Sequence, residues 1–268
     1  MCHWLKVSRS GYYAWLKRKV SSRAIEDKTL SARIVQIYKD SRGTYGSPRV
    51  HAALKKQGIA VGKKRVERLM QAQRLQGRVV KVTRRQPGLK RFIKRGDNLR
   101  LNNPAPNNTN QVWVADITYI KVRDNYKYLS VIMDLYSRRI LSWSLTDSRT
   151  TKDTAKVLKR AIRERQPDEG LIFHTDRGIE FTGKGFRNVL KKHNMRSSVN
   201  RLGFCTDNGH MESCFHSLKT ELIRGRKFNS MKDLRYALNS YINHFYNKKR
   251  LHSGIGYCSP IEYEKIAA

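Results

Sequence analysis

The stretch VWVADITYI, residues 112–120, is an almost unbroken run of β-branched and aromatic residues broken by one charge, Asp116. Such a run reads as a strand covered on both faces, inside a sheet flanked by helices. A carboxylate in that setting is costly unless it is hydrogen-bonded, paired or metal-bound. The run therefore constrains fold and chemistry together. YKYLSVIMDLY and ILSWSL follow across short turns, which predicts a three-stranded meander. Thr150, Thr151 and Asp153 open a helix carrying Ala155, Val157, Leu158, Ala161 and Ile162. LIFHTD is a further short strand ending on Asp176, residues 186–193 read as a helix, SSV as a strand and residues 207–223 as a helix. Three strands, helix, strand, helix, strand, helix predict an α/β fold on a mixed five-stranded sheet.

The segments before this core are helical and cationic. Residues 1–111 hold 27 of the 56 Lys+Arg but only 5 of the 21 Asp+Glu, in a chain of 268 residues with net charge +35. So large an excess points to a polyanionic partner, with nucleic acid first. Within YGSPRVHAALKKQGIAVGKKRVERLMQAQRL, Ser47 and Pro48 start a helix and Gly58 stops it. Lys63 to Arg74 form another, with Val66, Leu69 and Met70 inward and Lys63, Lys64, Arg65 and Arg68 on the outer face. This helix, turn, helix unit over residues 1–77 suits contact with DNA phosphates, without implying that sequence is read. Residues 78–110, with Arg84 and Arg85, read as a basic linker; residues 111–225 as the α/β core; and residues 226–268 as a helical extension bearing Lys248, Lys249 and Arg250. Four scattered cysteines, no signal peptide and no apolar run of membrane length predict a cytoplasmic protein with no membrane partner.

Two aspartates on neighbouring strands would repel each other unless a divalent cation lay between them, and hard oxygen ligands suit Mg²⁺ or Mn²⁺. At about 100° per residue, Met211, Phe215, Leu218 and Leu222 form an apolar stripe, with Glu212, His216 and Lys219 along its edge. Glu212 is then a third metal ligand and Lys219 a phosphate contact, whereas Ser217 and Glu221 fall on the solvated side. Two ions held by Asp116, Asp176 and Glu212 would support in-line phosphoryl transfer without a protein nucleophile. The competing reading makes both aspartates structural and Glu212 a surface residue. Cys205, His210, Cys214 and His216 diverge around the helix, so no zinc is expected. No GxSxG or Cys/His pair supports a nucleophile, and Asp134 is set aside as a structural acid.

VWVADITYI, DLYSRRILSWS, HTDRGIEFTG, TDNGHMESCFHSLKTEL and YNKKRLHSGIGYCSPIEYE, taken in order, resemble the signature blocks of the OrfB catalytic protein of the IS-three family of bacterial insertion sequences. These are DDE transposases related to retroviral integrases, and MCHWLKVSRSGYYAWLKR and TYGSPRVHAALKKQG extend the resemblance to the N-terminal region. It implies a ribonuclease H-like core, catalysis by Asp116, Asp176 and Glu212, and Lys219 as the basic residue seven positions on. It also implies Mg²⁺-dependent cleavage at element ends with 3′-OH transfer, a homo-oligomer on DNA, and an upstream-frame OrfA protein or fusion as partner. Gly209 replaces the usual alanine, and IEF replaces the usual glutamine-tyrosine pairing. The alternatives are an inactive DNA-binding regulator and a related nuclease that cleaves without joining.

Overall fold

The computed structural model describes residues 2–78, 96–101 and 103–267, with the backbone alone at Cys205. Arg84 and Arg85 lie outside the described residues. The chain forms two compact units, Met1–Arg78 and Val79–Ala268.

The first unit is helical: α1 (Arg9–Leu16), α2 (Ser22–Asp40), α3 (Ser47–Lys56) and α4 (Lys63–Ala72). Ser8 and Ser21 cap the first two helices by accepting the N–H groups of Gly11 and Ala24. Pro48 sits in the first turn of α3, where a missing N–H is harmless, and Gly58, at φ +76°, lets the chain leave its end. Ile34, Val50, Leu54 and Val66 are fully buried between α2, α3 and α4. Part of the basic face expected on α4 is ion-paired, with Arg68 still exposed there. Arg65 donates to Asp27 at 2.7 Å and Glu26 at 3.0 Å, and Arg68 donates to Asp27 at 2.7 Å. These arginines answer the acids of α2, leaving Lys63 and Lys64 as the exposed cations at the start of α4.

The second unit holds the sheet, with strands β1 (Val112–Val122), β2 (Asn125–Asp134), β3 (Ile140–Thr146), β4 (Ile172–Thr175) and β5 (Arg196–Val199). Their order is β3-β2-β1-β4-β5. The meander pairs antiparallel, whereas β4 joins β1, and β5 joins β4, in parallel. Parallel neighbours need crossovers, supplied by α5 (Thr151–Arg165) and α6 (Lys184–Lys192). Those helices cover one face, where Trp113, Ala115 and Phe173 pack with Leu158, Ala161 and Phe186. Helix α7 (Gly209–Leu218) lies against β1, and α8 (Met231–Asn239) and α9 (Pro260–Ala267) follow. The described end of the expected linker is docked: the Asp97 carbonyl accepts the Val199 N–H, and Leu99 N–H donates to Ser198 Oγ.

Helix α7 continues into a π-helical turn, Lys219–Ile223, and this overturns part of the helical-wheel reading. A π turn accommodates one extra residue, so side chains beyond Leu218 rotate away from 100° spacing. Glu221 turns inward instead of toward solvent and is 7% exposed. Arg250, expected to contact DNA, is 4% exposed and meets it there. Its Nη2 lies 2.7 Å from Glu221 Oε1, its Nε 2.9 Å from Oε2, and Nη2 also donates to Ser217 Oγ. Tyr241 Oη donates to Glu221 Oε2 at 2.7 Å. Burial works against the guanidinium charge, yet the hydrogen bonds from Glu221 outweigh it and raise the arginine's pKa. Arg250 is therefore an internal tie between the C-terminal segment and the end of α7.

Candidate active site

The parallel pairing of β1 with β4 ends at Ala115 opposite Thr175. Asp116 follows Ala115 within β1 and Asp176 follows Thr175 just past the end of β4, so they stand at the same level where the parallel pairing stops. The carboxyl end of a parallel pairing is where α/β sheets form ligand crevices. Both aspartates line one cleft of about 530 Å³, with Tyr119, Tyr128, Arg149 and Glu180. Each is held by its own backbone turn: Ile117 N–H donates to Asp116 Oδ1 at 2.7 Å, and Gly178 N–H to Asp176 Oδ1 at 3.0 Å.

Two contacts fix α7 along β1. Asn208, at the start of the helix, donates Nδ2 to the Ala115 carbonyl at 3.1 Å. Lys219, just past its end, holds Nζ 4.9 Å from the Tyr119 ring centroid. The pair brackets Asp116 on the strand and Glu212 on the helix. Glu212 is exposed and is not among the residues lining the cleft. Among the described residues, no three His, Cys, Asp or Glu side chains converge on a common point for an ion. The aspartates are thus together, and the glutamate runs alongside them on a helix. The two aspartates are hard oxygen donors, which suit Mg²⁺ or Mn²⁺.

Sequence reasoning missed a second pair in this cleft. Glu180, 8% exposed, sits in the short turn Ile179–Phe181, and Arg149 Nε lies 3.0 Å from its Oε1. A Cβ on Gly178 would stand 2.7 Å from Glu180 Oε2 and 2.9 Å from Asp176 Oδ1, so both carboxylates crowd this glycine and a side chain there would push them aside. The signal was present in the departure from the family pattern, IEF in place of the usual glutamine-tyrosine pairing. Arg149 lines the cleft, and its terminal amino groups make no hydrogen bond among the described residues. On the activity that the resemblance implies, Arg149→Gln is expected to slow DNA cleavage about 10- to 100-fold, the value of one or two charge-assisted hydrogen bonds to phosphate. Cleavage kinetics beside a thermal unfolding curve check this, since a purely structural arginine would lower stability and leave the rate of the folded fraction unchanged.

Behind Asp176, His174 is fully buried and bridges Ser198 Oγ and Asn200 Oδ1, each at 2.8 Å. Burial pushes its pKa down to about 4, so the imidazole is neutral near pH 7 and serves as a strut between β4 and β5. Asp134 is fully buried and accepts backbone N–H groups from Asn110, Tyr136 and Ser137 at the β2 end. Burial pushes the Cys214 thiol up to about 11, whereas His216 is exposed and His210 faces another cavity. Lys248 and Lys249 are exposed.

An HTH-like domain family matches residues 24–83, and integrase core domain families match residues 106–205 and 212–266. The insertion element IS600 uncharacterized 31 kDa protein of Shigella sonnei is 34% identical over 272 residues, covering 100% of both chains. Transposase InsF for insertion sequence IS3A of Escherichia coli strain K12 is 33% identical over 270 residues, covering 98% of this chain and 92% of that one. The chain belongs to this family of insertion-sequence transposases. One chain of the simian T-cell lymphotropic virus intasome in complex with PP2A regulatory subunit B56 gamma matches at 16% identity with a TM-score of 0.51. That match covers 86% of this chain and 74% of the other, and shows the transposase to share an integrase-like, ribonuclease H-like fold.

Proposed function

We propose that this transposase cleaves DNA strands at the ends of its insertion sequence and joins the freed 3′-hydroxyl to a new strand, using Asp116, Asp176 and Glu212. The observation that carries this reading is the pair Asp116 and Asp176, each one residue beyond the last parallel pair of β1 and β4, lining one cleft. Asp116 and Asp176 would hold two divalent ions, Mg²⁺ or Mn²⁺, with Glu212 swinging in from α7 as the third ligand. When bound, the metal supplies activation of the attacking oxygen and stabilisation of the leaving one. The chain's own residues do the rest. Lys219 neutralises DNA phosphate beside the glutamate, Arg149 steadies the phosphate over the cleft, and Glu180 aims Arg149.

Exposed Lys63 and Lys64, together with Lys248 and Lys249, are further phosphate contacts, supported by the net charge of +35. We read the division 1–77, 78–110, 111–225 and 226–268 as DNA-contacting helices, linker, catalytic core and extension; the Glu221–Arg250 pair spans the last boundary. The working form is a homo-oligomer on DNA in the bacterial cytoplasm, with an upstream-frame OrfA partner or fusion. No described helix is long and apolar enough to cross a membrane. Purified chain incubated with element-end DNA and Mg²⁺ tests the reaction: joined products support a transposase, cleaved but unjoined products favour a nuclease, and intact DNA favours a regulator.

A further inference from the structure

A second cavity lies at the other end of the same strands. It has a volume of about 350 Å³ and is lined by Arg100, Arg138 and His210 among others, at the N-terminal residues Val112 of β1 and Ile172 of β4. Four residues along each strand, at about 3.3 Å per residue, separate it from Asp116 and Asp176. Among the described residues, no Asp or Glu lines it.

Arg138 occupies the β2–β3 turn at φ +63°, a left-handed conformation uncommon for a residue with a side chain. Its Nη1 is buried without a hydrogen-bond partner, and its guanidinium makes no hydrogen bond or ion pair among the described residues. Arg100 reaches the cavity from the docked segment 96–101 and donates through Nη1 to the Asp207 carbonyl. The Asp207 carboxylate, the nearest obvious partner, is taken by Arg201 and Asn98. Burial lowers the pKa of both arginines, and Arg100 lowers that of Arg138 further.

Two guanidiniums sharing a cavity with no carboxylate bonded to either, although the charges of Asp207 and Asp134 act on Arg100 and Arg138, is a costly arrangement. It becomes favourable when an oxyanion accepts from both forks, because the planar guanidinium matches the oxygen spacing of phosphate. We propose that this cavity is a phosphate-binding site, built by Arg100 and Arg138 and filled by a DNA phosphate or by free inorganic phosphate. The site is distinct from the catalytic cleft and does not depend on the transposase reading. Its occupant would tie the segment before β1, the β2–β3 turn and the start of α7 together, since Arg100 already binds the chain at Asp207 and His210 lies on α7.

The test uses the full chain, inorganic phosphate as probe, and chloride at matched ionic strength as control. Phosphate is expected to raise the thermal unfolding midpoint beyond chloride, and Arg138→Gln and Arg100→Gln each to weaken that binding about tenfold or more. In phosphate-free buffer the Arg138→Gln chain should be at least as stable as the unaltered one, since it loses an unpaired buried charge. Should a glutamine variant fail to fold, the lysine variants serve, because they keep the charge but lose the fork, and phosphate affinity should still fall. DNA binding separates the two sources. If DNA phosphate fills the site, phosphate competes with duplex beyond its ionic strength and the variants bind duplex more weakly; if free anion fills it, duplex affinity is unchanged in both comparisons. A phosphate effect no larger than that of chloride overturns the proposal, as does a full phosphate effect in variants of both arginines.

Discussion

Asp116→Asn and Asp176→Asn should each slow metal-dependent strand cleavage by about a thousandfold or more, since a bound metal supplies several kcal/mol of transition-state stabilisation and each 1.36 kcal/mol is about tenfold. Folding should survive. Asparagine keeps an oxygen where the Ile117 and Gly178 N–H groups donate, so the local turns persist while the anionic ligand is lost. The rate, measured beside a thermal unfolding curve, distinguishes this from a structural role. A structural aspartate predicts the reverse pattern, a lowered midpoint with cleavage by the folded fraction within about tenfold of normal.

The largest expected loss of stability is at Arg250→Ala, about 3–5 kcal/mol, because it removes the guanidinium bound to the buried Glu221 carboxylate. Tyr241 Oη would remain as a hydrogen-bond donor to Glu221, and one neutral donor does not replace a bidentate guanidinium. Replacing both members, Arg250→Met with Glu221→Leu, should recover most of that loss, because no uncompensated charge is then buried. Urea unfolding of the two single variants and the double variant measures this. A loss under about 1 kcal/mol for Arg250→Ala would mean the pair behaves like an exposed one.

The sheet was legible because its strands carry the period of a covered surface. The run 112–120 could be read as a buried strand interrupted by an acid and LIFHTD as one ending on an acid, and the observed register sets those acids side by side. Helix faces were legible while the helix kept 3.6 residues per turn: Met211, Phe215 and Leu218 are buried as their spacing predicts. Past Leu218 the expected burial of Leu222 still holds, but Glu221 departs from the expected pattern, because a π turn with no signature in propensity rotated it inward. Once Glu221 was placed outside, Arg250 had no visible partner and fell in with its basic neighbours Lys248 and Lys249. The same limit applies to Arg65 and Arg68: their acids, Glu26 and Asp27, lie on another helix, and pairing across 38 or more positions is set by tertiary packing. Glu180 was visible as a departure from the family's pattern, but only the fold could show that it crowds Gly178 against Asp176. Arg138 and Arg100 looked like two more positive charges until burial singled them out.

The central claim is that Glu212, lying outside the cleft lining, joins Asp116 and Asp176 in the reaction. The most direct measurement is the yield of joined product from element-end DNA with Mg²⁺, comparing the intact chain with Glu212→Gln. The isosteric change removes one ligand charge and should abolish joining, a loss of about a thousandfold or more, while DNA binding and the unfolding midpoint stay within error. Joining by Glu212→Gln at the rate of the intact chain would contradict the account and leave Asp116 and Asp176 to act with some other third group.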